Sequence, residues 1–126
     1  MASESAHVLI VDDNRALAEN LGEILELEGF LVDVRSEPRD LMREAPAFDA
    51  AVVDVRMGDI DGIELCQALQ KNNPDAAYVL MTAFTREERA AQASRCARVV
   101  LAKPFPPERL VAELRSALAE RAAHAR

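Results

Sequence analysis

The chain has 126 residues, 50% hydrophobic and 29% charged, with a formal net charge of −7. That length and composition fit one compact domain with an ordinary core. The acidic balance excludes a chain that itself wraps nucleic acid, which needs a basic face, but leaves room for a basic partner protein.

In chain order, MASESAH at the start has neither the basic n-region nor the apolar h-region of a secretory signal. VLIV (8–11) is a continuous apolar run, as in a strand covered by helices on both faces. From Asn14 to Glu28, Leu17, Leu21, Ile24 and Leu25 follow helical spacing, and Gly29 provides the stop. LVDVR (31–35) alternates instead: Val32 and Val34 face inward, Asp33 and Arg35 face water, and the strand belongs at an edge. Residues 38–44 form a short helix with Pro46 beyond it. AAVV (50–53) is the third strand. Ile63, Leu65, Cys66 and Leu69 mark a third helix that ends at NNP (72–74). YVLM (78–81) and VVLA (99–102) are the fourth and fifth strands, separated by a weakly amphipathic helix over 85–95. The last helix starts at Pro107, carries Leu110, Val111, Leu114 and Leu118 on one stripe, and ends near Arg121.

Five strands alternating with five helices predict an α/β fold, a doubly wound five-stranded parallel sheet of order 2-1-3-4-5 with helices on both faces. The whole chain is expected to be a single domain, its core over about 7–120 and residues 121–126 a tail or the start of a linker. No run approaches the ~18 apolar residues of a membrane-spanning helix. Cys66 and Cys96 form no CxxC pair, so a disulfide framework is not expected and a reducing cytoplasm is the simplest location. His7 and His124 have no metal-ligand spacing and read as solvated.

Ligands of such sheets bind beyond the carboxyl ends of the strands, at the switch between the first and third. Those ends carry one chemistry: Asp12 and Asp13, then Asp54, Thr82 and Lys103. Two adjacent anions beside a buried strand repel each other and lose hydration. A cation between them removes the difficulty. Clustered carboxylates without histidine or cysteine select a hard, oxygen-preferring ion, with Mg²⁺ first. A carboxylate can also attack phosphorus and form an aspartyl phosphate, while a metal, an ammonium and a hydroxyl supply what phosphoryl transfer needs. No GxxxxGK[ST] loop or GxGxxG turn supports nucleotide binding, and no Ser/His/Asp set is present.

VLIVDDN, VVDVRMGDIDGIEL, MTAF and AKPF, in that order and at that spacing, resemble the signature segments of the response-regulator receiver domain of two-component signalling, which has the flavodoxin-like fold. The resemblance runs from about residue 7 to 120. It implies that Asp54 accepts a phosphoryl group from a sensor histidine kinase or phosphotransfer protein. It also implies that Asp13, Asp54 and the Arg56 backbone carbonyl bind Mg²⁺, with Asp12 holding the ion through water. Thr82 and Lys103 would contact the phosphoryl oxygens, and a cis peptide before Pro104 would aim Lys103 into the site. The implied protein catalyses only its own aspartyl phosphorylation and dephosphorylation and is not a conventional enzyme. Its implied partners are the phosphodonor protein and a downstream protein or fused output domain, with a phosphorylation-dependent homodimer as a further arrangement. Direct nucleic-acid and membrane binding are not expected.

Three positions depart from the family pattern. Gly58 stands where proline is common, which suggests a looser loop. Cys96 replaces a usual glycine. Val100 occupies the position of an aromatic that swings on activation, and valine is too short and stiff to do the same. Signalling is therefore expected to pass through backbone movement of residues 83–89, reported by Phe84, which together with Arg56 flanks the mouth of the site. Two other readings compete: a phosphorylation-independent pseudo-receiver that only binds proteins, and a Toprim-like Mg²⁺-dependent phosphotransfer enzyme. The first would show a lost acid or lysine, and none is lost. The second would need an insertion to build a substrate pocket.

Overall fold

The computed structural model describes residues 5–83 and 87–124. Five strands, β1 (His7–Val11), β2 (Leu31–Arg35), β3 (Ala50–Asp54), β4 (Ala77–Thr82) and β5 (Val99–Ala102), form one parallel sheet of order 2-1-3-4-5. Five helices alternate with them: α1 (Arg15–Leu27), α2 (Arg39–Arg43), α3 (Gly62–Asn72), α4 (Glu87–Cys96) and α5 (Pro107–His124). The doubly wound sheet expected from the alternation is present, with β2 at one edge.

The unbroken apolar runs conceal a period of two. Along β1, Val8 and Ile10 enter one core and Leu9 and Val11 the other. The first core packs Ala18, Leu21 and Leu25 of α1 and Leu110, Val111 and Leu114 of α5 against the sheet. The second packs Leu41 of α2, Ile63, Leu65, Cys66 and Leu69 of α3, and Ala93 and Cys96 of α4 on the opposite face. Both faces of β3 are therefore covered, and all five of its residues are buried. At ~1.5–3 kcal/mol for each buried aliphatic side chain, the two layers hold the central strands far more firmly than the edges.

Helix boundaries have local causes. The Asn14 side chain accepts a hydrogen bond from the Leu17 amide at 3.1 Å and caps α1. Asp61 does the same for α3, accepting from the Ile63 amide at 2.9 Å. α5 runs past the expected end at Arg121 to His124, and the Arg121 guanidinium donates to Asp49 Oδ1 at 2.8 Å. Asp49 also accepts from the His7 amide at 2.8 Å, which ties the end of α5 to the start of β1.

One element escaped the sequence reading. Between β3 and α3, Arg56–Met57 and Ile60–Asp61 pair as a small antiparallel hairpin. Gly58 opens its two-residue turn with φ of +59°, a conformation proline cannot adopt. The expected looser loop is a tight turn. Two-residue strands leave no periodicity to read, so only the Gly-Asp pair signalled it.

Candidate functional site

The carboxyl ends of β1, β3, β4 and β5 meet at one end of the sheet. Asp12 follows β1 and is fully buried. Burying a lone carboxylate is costly, and here each oxygen has a donor. Its Oδ1 accepts from the Asn14 amide at 2.9 Å, and its Oδ2 from Lys103 Nζ at 3.1 Å. Asp54, the last residue of β3, is also buried. Its Oδ1 accepts from the Arg56 amide at 3.2 Å and its Oδ2 from the same Lys103 ammonium at 3.2 Å. Asp13 is exposed, yet one carboxylate oxygen from each of Asp12, Asp13 and Asp54 lies within 4.8 Å of the others.

Three carboxylates thus face one ammonium, which leaves two negative charges uncompensated when all are ionised. Burial and the nearby Asp12 charge push the Asp54 carboxyl above the ordinary aspartate range, against the lowering effect of Lys103 and the Arg56 amide. Burial works against the Lys103 ammonium, but the Asp54 and Asp12 charges outweigh it and hold its pKa above the usual lysine value. The donor set is all hard oxygen, and its residual charge matches a dication. A divalent ion such as Mg²⁺ fits these residues.

Lys103 reaches the cluster from the segment after β5. Its amide donates to the Thr82 carbonyl at 2.8 Å, extending the β4–β5 ladder, and the Lys103–Pro104 peptide is cis. Thr82 ends β4 and is buried. Asp54 pairs with Met81 in the β3–β4 register, so Thr82 lies one residue beyond that pair. Direct geometry therefore gathers Asp12, Asp13, Asp54 and Lys103. Arg56 joins through its amide and Thr82 through its strand position.

Other candidates fall elsewhere. His7 is exposed at the opposite end of β1. Cys66 and Cys96 are free and buried, and burial raises both thiols, as in unreactive core residues. Val100 is half-buried and packs against the core containing α3 and α4. Phe84, part of the expected signalling segment, lies outside the described residues. Sequence reasoning passed over Gly62, whose amide donates to the Val55 carbonyl at 2.7 Å directly behind Asp54. Its only signal is an Asp-Gly pair opening a helix.

A parallel sheet of this order with an acid cluster at its switch point defines a class, and comparison with known proteins agrees. Residues 8–115 match the model of the response regulator receiver domain, and the chain belongs to that family. Response regulator MprA of Mycolicibacterium vanbaalenii is 34% identical over 116 residues, covering 88% of this chain and 49% of that protein. MprA of Mycobacterium sp. strain KMS is 36% identical over 115 residues, covering 88% and 50%. The chain spans about half the length of the curated relatives it matches. Among solved structures, the beryllofluoride-activated DrrB receiver domain superposes with a TM-score of 0.84 at 25% identity, over 92% of this chain and 99% of that one. Thermotoga maritima TrrA, solved with Mg²⁺ and beryllofluoride, gives 0.78 at 25%, over 89% and 98%. Among the described residues no helix is long and apolar enough to cross a membrane.

Proposed function

We propose that the chain is the phosphoacceptor of a two-component phosphorelay, taking a phosphoryl group from a phosphohistidine of a kinase or phosphotransfer protein onto Asp54. The observation that carries this reading is the single Lys103 ammonium bridging the buried Asp12 and Asp54, with Asp13 beside them. An Asp54 oxygen attacks phosphorus, a P–O bond forms, the P–N bond of the donor breaks and the imidazole leaves. Lys103 shifts its donated hydrogen bond to a phosphoryl oxygen, and the Thr82 hydroxyl donates to another. Asp12, Asp13, Asp54 and the Arg56 carbonyl would hold Mg²⁺, which when bound offsets charge on the phosphoryl oxygens. Attack of water on phosphorus then releases inorganic phosphate and restores the carboxylate.

The beryllofluoride states of DrrB and TrrA support the reading, since that group imitates a phosphoryl on a carboxylate. The Mg²⁺ in TrrA supports the ion. The relatives are response regulators about twice as long, which favours a downstream output domain or partner as the receiver of the signal, in the cytoplasm. Without Mg²⁺, burial and the Asp12 charge hold the Asp54 carboxyl above the ordinary range, so in the metal-free protein it should take up a proton at higher pH than an ordinary aspartate, as a carboxyl-detected NMR titration would show.

Incubation with acetyl phosphate and Mg²⁺ tests this, with intact mass as the readout. The wild-type chain should gain one phosphoryl group and Asp54→Asn none. Asp54→Asn should fold at least as well as wild type without Mg²⁺, because burial and Asp12 disfavour the charge it removes. A folded wild-type chain that gains nothing would favour the phosphorylation-independent binding module.

A further inference from the structure

Gly62 is the first residue of α3, where alanine would be a better helix former. Its backbone does not need glycine either: the positive-φ glycines are Gly29 and Gly58. Space is the remaining reason. A Cβ at residue 62 would stand 1.8 Å from the Asp54 carbonyl oxygen, 2.7 Å from the Asp54 carbonyl carbon and 2.8 Å from Val55 Cα. All three are backbone atoms of the peptide behind the Asp54 carboxylate.

Neither side of this contact yields easily. β3 is hydrogen-bonded to β1 and β4, and the Val55 amide extends that ladder to the Met81 carbonyl at 2.8 Å. α3 is anchored by Ile63, Leu65, Cys66 and Leu69 in the core. The softest part is the segment between. It leaves at Val55, forms the hairpin and returns at Gly62, closed by the 2.7 Å bond between them. That segment carries the Arg56 amide on Asp54 Oδ1 and the Gly58 turn, where an added Cβ would lie 3.9 Å from Asp13 Oδ2.

We propose that Gly62 is a positioning residue for phosphoryl transfer: its missing side chain lets α3 seat on the Asp54–Val55 peptide and sets the hairpin against the acid cluster. A methyl group there opens the Val55–Gly62 bond and moves the hairpin, so the strain falls on the site and not on the sheet. The inference rests on Asp54 being the acceptor. Gly22 provides the comparison. Its added Cβ would meet Val34 Cγ2 at 3.0 Å and Val32 Cγ1 at 3.3 Å, side-chain atoms of edge strand β2 that can give way and not backbone of the site.

The test compares wild type, Gly62→Ala and Gly22→Ala, each well below its melting temperature. Three readouts are used: Mg²⁺ affinity, backbone amide shifts, and labelling by acetyl phosphate. Gly62→Ala should remain folded, bind Mg²⁺ at least tenfold more weakly, label at least tenfold more slowly and shift the amides of Asp54, Arg56 and Gly58. Gly22→Ala should lower the melting temperature, shift amides around residue 22 and β2, and leave Mg²⁺ affinity, labelling and the amides of Asp54, Arg56 and Gly58 at wild-type values. A Gly62→Ala chain that binds Mg²⁺ and labels like wild type overturns the inference. So does one that cannot fold, since the glycine would then serve the fold as a whole. If the wild-type chain itself takes no phosphoryl group, the acceptor reading fails, while Mg²⁺ affinity and amide shifts still decide whether Gly62 sets the cluster.

Discussion

Lys103→Met should slow phosphoryl acceptance about 100-fold, the usual effect of deleting one donor to developing charge. It should also destabilise the metal-free protein by roughly 3 kcal/mol, because removing one partner leaves buried charge unpaired. Asp12 is the reason for the second effect: it has no exposure, and Lys103 is the donor to its Oδ2. With a raised pKa, Lys103 contributes its stabilisation fully below the ordinary lysine value and loses it only as pH rises through the higher folded value. The lysine's own titration therefore leaves the loss in Lys103→Met unchanged across neutral pH, and the loss should shrink in acid as the stranded Asp54 carboxylate takes up a proton. Adding Asp54→Asn to Lys103→Met should recover part of it by removing one of the two stranded carboxylates. Mg²⁺ should stabilise Lys103→Met more than wild type, since the cation then meets no competing ammonium. Denaturant titrations with and without Mg²⁺ measure these effects. Equal stability of Lys103→Met and wild type would show that the bridge contributes nothing.

The second large effect is expected at Asp13. Replacing a ligand's outer partner typically weakens a metal about 10–100-fold, and the loss of a ligand's charge should do at least as much. Asp13→Asn should thus lower Mg²⁺ affinity at least tenfold and slow labelling in parallel. Asp33→Asn is the control: Asp33 sits on edge strand β2 and is engaged with Arg35 at 2.8 Å. It should change Mg²⁺ affinity little. Equal effects of the two substitutions would remove the argument for the acid cluster.

The residues that announced themselves in the sequence were those whose chemistry conflicts with their neighbourhood. Asp12 and Asp13 directly after VLIV demanded a compensating charge, and Lys103 supplies part of it, to Asp12, from the other end of the chain. The strand order was legible because β2 alternates while β1, β3 and β4 do not, a direct mark of one exposed side against two covered ones. The hairpin within 56–61 was not legible, since two-residue strands have no period. Gly62 was hidden for another reason. Its role depends on where the Asp54–Val55 backbone lies after the sheet and α3 have packed, which no local pattern encodes. Family resemblance assigned Arg56 to the metal through its carbonyl; the structure adds its amide on Asp54 Oδ1.

The most direct test of the central claim is to locate the phosphoryl group. An aspartyl phosphate is reduced by borohydride to homoserine, which marks the acceptor permanently. Wild-type protein treated with acetyl phosphate and Mg²⁺, reduced and digested should show homoserine at residue 54 alone. Homoserine at Asp59 or Asp61 in the adjacent hairpin, with residue 54 unmodified, would contradict the account.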